Sequence, residues 1–296
     1  MKKKFILITL IALMTISLVG TAFAQEGSFK ILYTNKIQDE SQLKKNDGLE
    51  FNQIKKRIEK YQNNSNLLIV DIGDTLYDQT IINKNSGKDA IQNMNEIGYV
   101  GMVLGNDEFN FGQTRIKELE KMAKFNFLAA NLQPQLVDSY IIKEVDGIKV
   151  GIFGLVTPTT IKKTHADNVK GLTFRDPYQT AAEMVAELSQ QTDIIVALSH
   201  LGTDKDNEYN SQTLAKSVSG IDIIIDGQSR AAIEKSILID GTLIAQAGQY
   251  DRNIGMIEVT CADGETTARA ALITEEQKAE VKDNKEESEN KRLAPT

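Results

Sequence analysis

The stretch Val103-Leu-Gly-Asn-Asp-Glu-Phe-Asn-Phe-Gly112 constrains this chain more than any other, because an apolar run stops at Gly105 and opens at once onto Asn106, Asp107 and Glu108. A buried strand that ends in a glycine followed by polar side chains is how α/β proteins present chemistry at the edge of a sheet. Further apolar runs end in the same manner, at Lys36 and Gln38, at Asp74, at His200, and at Gln228 and Arg230. If these strands run parallel, residues far apart in sequence share one edge. Strand ends also carry ordinary loop residues, so position alone does not make a site.

The order of the runs supports that arrangement. Phe29–Thr34 reads as a strand, and Phe51, Ile54, Ile58 and Tyr61 then recur at helical spacing with lysines and Arg57 on the other face. Leu67–Ile72 is a second strand ending at Gly73-Asp74; Ala90, Ile91, Met94 and Ile97 mark a helix leading to the strand before Gly105. Ile116, Leu119 and Ala123 mark another helix, and Phe127–Ala130 a strand ending at Asn131. Alternation of this kind predicts a mainly parallel sheet covered by helices. Asp146-Gly147, between two alternating runs, predicts a tight hairpin. Asp176-Pro177 predicts a helix start, with Tyr178, Ala181, Val185 and Leu188 as its buried face. Ile194–Leu198 and Ile221–Ile225 are buried strands, and short strands within Leu238–Ala245 and over Ile254–Thr260 close the domain. The lone Cys261, in an alternating run, reads as a buried and inert thiol.

The two ends of the chain read differently from its middle. Met1–Ala24 has Lys2, Lys3 and Lys4, an apolar run and a small-residue cleavage site at Ala22-Phe23-Ala24, the pattern of a secretory signal peptide. Removing those three lysines takes the formal charge from -7 to -10. An acidic chain of this kind excludes nucleic acid and anionic membranes as partners. A secreted or periplasmic protein with no stable membrane anchor after cleavage is expected, with its domain over residues 25–270. Residues 271–296 are rich in Lys, Glu and Asn, and with the capping-box pair Thr274 and Gln277 they predict a frayed helix or a disordered tail.

Eight stretches, in order, carry a family resemblance: ILYTNKIQD, NLLIVDIGDTLYDQ, MNEIGYVGMVLGNDEFNFG, FLAANL, DGIKVGIFGLVTP, IIVALSHLG, IDIIIDGQSR and AQAGQYDRNIGMIEV. From about Lys30 to Val259 the chain resembles the N-terminal catalytic domain of the 5′-nucleotidase family, within the calcineurin-like metallophosphoesterases. The resemblance implies an α/β fold, a four-layer α-β-β-α sandwich with two mixed sheets, and a dinuclear metal centre at the strand ends. Full-length members add a C-terminal domain that binds the nucleobase. The chain stops before it and is expected to be a single domain with a tail, so nucleotide specificity does not carry over.

The family's motifs map onto this chain with substitutions. The first motif, Asp-x-His, is here Lys36-Ile37-Gln38. Gly73-Asp74 keeps the bridging carboxylate, and Gly-Asn-His-Glu becomes Gly105-Asn106-Asp107-Glu108, with Asp107 at the catalytic-histidine position. Asn110 stands where an aspartate supports that histidine, His200 is retained, and Gly-His-x-His becomes Gly227-Gln228-Ser229-Arg230. Asp74, Asn106 and His200 therefore survive as ligands to one metal, while Lys36, Gln38, Gln228 and Arg230 replace the others. An ammonium or guanidinium has no lone pair to donate, and at about 4 Å a lysine attracts a carboxylate such as Asp74 by about 4 kcal/mol before desolvation is counted.

Two readings follow. In the first, the chain has lost the turnover implied by the resemblance and acts as a binding or scaffold protein for a protein or small-molecule partner, its pocket held by Lys36 and Arg230 against Asp74 and Asp107. In the second, it hydrolyses phosphate esters or nucleotides with a single divalent ion, zinc, manganese or magnesium, on Asp74, Asn106 and His200, with Asp107 or Gln228 as a further oxygen ligand. The first needs no cofactor. Around the pocket, plainer roles are expected: His165 solvated, Tyr77 and Asp78 lining a loop, Phe109 and Phe111 in the core, and Asn131 either near the pocket or capping the backbone.

Overall fold

The computed structural model describes residues 26–37, 49–62, 66–77, 87–229, 232–233, 236–248, 253–262 and 265–273. The signal peptide, Gln38, Asp78, Arg230 and the Thr274 to Gln277 capping box lie outside the described residues. In chain order the elements are β1 (Gly27–Thr34), α1 (Leu49–Ile58), β2 (Leu67–Asp71), α2 (Lys88–Ile97), β3 (Gly101–Val103), α3 (Gln113–Met122), β4 (Asn126–Leu128) and β5 (Leu132–Gln133). The chain continues with β6 (Tyr140–Val145), β7 (Ile148–Val156), α4 (Thr160–Lys163), β8 (Thr173–Phe174), α5 (Pro177–Leu188), β9 (Ile194–His200) and α6 (Ser211–Ser217). It closes with β10 (Ile223–Asp226), β11 (Ile237–Ile239), β12 (Thr242–Ala245), β13 (Ile254–Ala262) and β14 (Glu265–Ile273).

Twelve of these strands build two mixed sheets, one ordered β14-β13-β1-β2-β3-β4 and the other β11-β12-β10-β9-β7-β6, while β5 and β8 pair as a separate two-stranded sheet. In the first, β1 through β4 are parallel and β13 is antiparallel to β1. In the second, β7, β9, β10 and β12 are parallel, with β6 and β11 antiparallel at the two edges. The layering follows from the two-residue period of a strand. In β9, Ile194, Val196 and Leu198 face the core that also buries β1, β2 and the apolar faces of α1 and α2. Ile195 and Ala197 of the same strand face a smaller core with Ala181 and Leu188 of α5 and Leu214 of α6. Helices, sheet, sheet and helices are therefore stacked as the resemblance implies.

The local predictions hold for physical reasons that the coordinates make explicit. Asp146 and Gly147 both lie in the left-handed region, at φ 52 and 78, the two-residue turn that suits a twisted hairpin. Asp176 caps α5, its Oδ1 accepting from the Tyr178 and Gln179 amides at 2.8 and 3.0 Å. The buried face of α5 is Pro177, Thr180, Ala181 and Leu188, while Tyr178 and Val185 are half-buried against the same core. β14 has no counterpart in the sequence reading, since none of its residues is fully buried and its inward positions Ala268, Ala270 and Leu272 are only half-buried against the core. It is an edge strand held by its ladder to β13. Among the described residues no helix is long and apolar enough to cross a membrane.

Candidate functional site

The ends of β1, β2 and β3 from one sheet meet the ends of β9 and β10 from the other. Two site residues adopt backbone conformations that only glycine takes without strain: Lys36 at φ 45, after β1, and Asp74 at φ 57, after β2. Gly73 and Gly105 lie back to back beside them, so close that a Cβ on Gly73 would fall 2.5 Å from the Gly105 nitrogen. A Cβ on Gly105 would collide with the Asp74 carboxylate. Across the seam, the Asn35 amide donates to the carbonyls of Gly227 and Gly248 at 2.6 and 2.7 Å, and a Cβ on Gly227 would lie 2.6 Å from Ile72 Cγ2. Gly73 and Gly105 are there because the loops after β2 and β3 of one sheet touch, and Gly227 because the two sheets meet, leaving no room for side chains.

A hydrogen-bonded cluster occupies this seam. Asp74 Oδ1 accepts from the Asp107 amide at 2.9 Å, and Asp74 Oδ2 faces His200 Nε2 at 3.3 Å. Lys36 Nζ donates to Asp107 Oδ2 at 3.1 Å, and the Asn106 amide donates to Asp107 Oδ1 at 2.7 Å. Beneath them Glu108, fully buried, accepts the amides of Asp74, Leu76 and Gly105 at 2.9, 3.0 and 2.8 Å. Glu108 thus binds the β2 and β3 loops together, a role the sequence reading missed. Its one available signal was a carboxylate next to the apolar Phe109.

The charges follow from burial and neighbours. Burial pushes Asp74 up, but His200, the Asp107 amide and the Lys36 charge outweigh it and hold the carboxyl down at about 2. Burial pushes His200 down, while the charge and contact of Asp74, the Ile72 carbonyl and the charge of Glu108 raise it to about 9. Asp107 is raised by burial and by Asp74, against the pull of Lys36. Burial first, then the charge of Asp74, raises Glu108 to about 7. Asp71, buried below the loop, is raised to about 7 by burial, against hydrogen bonds from Thr34, Gly73 and Thr75.

Each anticipated residue among those described has a definite place. Lys36 bonds Asp107, and the partner of Asp74 is His200 rather than Lys36, whose charge acts on Asp74 without a direct bond. Asn110 turns away from the seam: its Oδ1 accepts from Thr164 Oγ1 at 2.9 Å and its carbonyl from the Asn168 amide at 3.1 Å. Gln228 meets Lys163, a residue the sequence reading left out. With the Gln228 amide turned so that both its atoms find partners, its oxygen accepts from Lys163 Nζ at 2.5 Å and its nitrogen donates to the Leu201 carbonyl at 3.1 Å. Lys163 Nζ also donates to Asn106 Oδ1, at 3.3 Å. The plainer roles hold: Phe109 packs edge-on to Phe174 and Phe111 to Tyr77. Asn131 caps Val156, donating to its carbonyl at 2.8 Å and accepting from its amide at 2.9 Å. His165 is exposed and accepts from the Asp167 amide at 3.4 Å.

The donors decide whether two divalent ions fit. Beside β1 they do not, because the Lys36 ammonium has no lone pair to offer and is already bonded to Asp107. Beside β9 the set is better. His200 Nδ1 lies 2.6 Å from the Ile72 carbonyl, which only accepts, so Nδ1 carries a proton. His200 Nε2 is buried, close enough to Asp74 for an ion pair but without an aligned hydrogen bond. An imidazole anchored through Nδ1–H to a carbonyl, with Nε2 turned inward, is how metal-ligating histidines are oriented. Among the described residues no three His, Cys, Asp or Glu side chains converge as a metal group. Among the described residues the donors do not make up a set for two ions, and Asp74, His200 and the amide oxygens of Asn106 and Gln228 are the groups that could hold one.

Comparison with known proteins gives the site a context. No protein-family model matches the chain. It is 28% identical over 241 residues to the trifunctional nucleotide phosphoesterase protein YfkN of Bacillus subtilis, covering 67% of this chain and 16% of that protein. It is 28% identical over 203 residues to a 5′-nucleotidase of Vibrio cholerae, covering 58% of this chain and 37% of that protein. The chain thus spans less than half the length of these curated relatives. Among solved structures, the calcineurin-like phosphoesterase YfkN from Bacillus subtilis superposes with a TM-score of 0.70 at 22% identity, over 84% of this chain and 91% of that one.

Proposed function

From the premise that the chain belongs to the 5′-nucleotidase-type, calcineurin-like metallophosphoesterases, we propose that it has given up two-metal hydrolysis and serves as a binding or scaffold protein. The observation that carries this reading is the Lys36 to Asp107 ion pair at 3.1 Å. By the resemblance, Lys36 stands at a metal-ligand position and Asp107 at that of the catalytic histidine, and here the two satisfy each other. Two-metal hydrolysis needs an activated nucleophile on one ion and a second Lewis acid opposite it. With Lys36 in place of a ligand, neither requirement has a donor set on the β1 side.

The proposal extends to the ends of the chain. Met1–Ala24 directs export and is removed, so the protein works as a secreted or periplasmic one, its domain over residues 25–270. N-terminal sequencing of the exported protein tests this, with Gln25 as the expected first residue.

The orientation of His200 supports a second reading, in which one divalent ion on Asp74, Asn106 and His200 sustains slow phosphoester or nucleotide hydrolysis. Such an ion would supply Lewis-acid polarisation of a phosphoryl oxygen. One assay separates the two: turnover of p-nitrophenyl phosphate and AMP with added manganese, zinc or magnesium, and again with chelator. The binding-protein reading expects no metal-dependent rate above buffer. Chelator-sensitive turnover that disappears in a folded His200→Ala variant establishes the single-metal enzyme instead.

A further inference from the structure

We propose that Lys163 is the second resident cation of the site, a plug whose ammonium takes the amide oxygens that a metal ion beside Asp74 and His200 would need. The proposal rests on the reading that the wild-type site works without its pair of ions, and it adds the residue that keeps the better-preserved half closed. Lys163 Nζ lies 3.3 Å from Asn106 Oδ1 and, with the Gln228 amide turned as its partners require, 2.5 Å from the Gln228 amide oxygen. These side chains come from opposite sheets, Asn106 after β3 and Gln228 after β10, and an ammonium with three donors spans both. Lys36 on the β1 side and Lys163 on the β10 side thus replace divalent charge with single charges, one at each half of the site.

Two features make Lys163 a plug rather than a permanent brace. Its partners here are neutral amides, and among the described residues no acidic side chain pairs with it, whereas Lys36 is locked to Asp107. It is also an exposed residue on the four-residue α4, and its side chain lines a cleft of about 140 Å³ together with Thr157, Thr159, Asn207, Glu208, Tyr209 and Gln228, where the Glu208 carboxylate offers the ammonium an alternative partner. The cleft gives the side chain somewhere to swing without disturbing the core. What it would uncover are groups able to hold one ion: the two amide oxygens, Asp74 Oδ2, and the buried His200 Nε2, which has no aligned partner and becomes a donor once the entering ion displaces its proton. Oxygen-rich sets with one imidazole suit manganese or zinc.

The test is a manganese titration of the purified protein, read by loss of the free-ion electron paramagnetic resonance signal, for wild type, Lys163→Gln, Lys163→Met and Lys163→Arg. Removing a single positive charge about 4 Å from a divalent ion is worth about 30-fold in affinity even at a water-like dielectric. Lys163→Gln and Lys163→Met should therefore bind one ion at least about 30-fold more tightly than wild type, while Lys163→Arg stays at the wild-type value. Adding His200→Ala to Lys163→Gln should abolish the gain. Because Lys163 is exposed, thermal melts of the variants should match wild type. Folded Gln and Met variants with unchanged affinity overturn the plug and leave the metal-free reading standing. Wild type that arrives carrying a pair of ions overturns the metal-free reading itself.

Discussion

Replacing Lys36 by methionine is the sharpest test of how the seam is held. Lys36 and Asp107 are 3.1 Å apart, with side chains only 8% and 20% exposed. At an effective dielectric near 20 their attraction is about 5 kcal/mol, and the desolvation of both groups cancels most of it. The observable effect is therefore not the attraction but the cost of leaving one partner behind. Lys36→Met leaves Asp107 beside Asp74 without its bonded cation, which should destabilise the fold by about 3 kcal/mol, the low end for a broken buried pair because Asp107 keeps some contact with water. Asp107→Ala, which strands the ammonium, should cost a similar amount. In the double variant neither charge remains, so the loss should be smaller than the sum of the single losses by about 2 kcal/mol. Urea unfolding followed by circular dichroism measures all three. Single losses below about 0.5 kcal/mol that simply add are the behaviour of a solvated surface pair, and they refute the reasoning.

Other consequences follow from the same cluster. Glu108→Ala leaves the amides of Asp74, Leu76 and Gly105 without their acceptor and should cost more than about 3 kcal/mol, with Glu108→Gln retaining part of it; chemical denaturation ranks the two. Gly105→Ala places a Cβ against the Asp74 carboxylate and should displace the loop, lowering the melting temperature and shifting the His200 ring signals in NMR spectra. His200 is raised from 6.5 to about 9, so its contribution is complete below pH 6.5 and lost as pH climbs through 9. Asp74, lowered from 3.8 to about 2, contributes above pH 3.8 and loses that contribution as pH falls through 2. Asp71 and Glu108, both raised to about 7, bind protons in the folded state and so also make stability decline as pH rises toward 7. Stability should therefore fall between pH 6.5 and 9 by up to about 1.4 kcal/mol per pH unit for His200, and His200→Gln should flatten that part of the profile.

Much of this was legible in the sequence because it is written in periodicity and in glycine. The alternation in β9 separates two cores, and Gly73, Gly105 and Gly227 mark strand ends where neighbouring loops, or for Gly227 the opposing sheet, leave no space for a Cβ. Hence the convergence of Lys36, Asp74, Asn106, Asp107, His200 and Gln228 followed from placing each at the end of a strand. What escaped was set by side-chain direction, which no spacing encodes. Asn110 points to Thr164, Glu108 turns inward beneath Asp74, and Lys163 reaches back from a helix too short to have a period. β14 escaped for another reason: on this edge strand the inward face is two alanines before Leu272, all only half-buried, a weak apolar signal.

The account depends on an ammonium, and not a metal ion, lying against Asp107 on the β1 side of the seam. A crystal structure of the protein grown with excess manganese, with anomalous data collected, examines that position directly. The account predicts no anomalous peak beside Lys36, whose Nζ remains within hydrogen-bonding distance of Asp107. Paired peaks flanking Asp74, with the Lys36 side chain turned out to solvent, would contradict it.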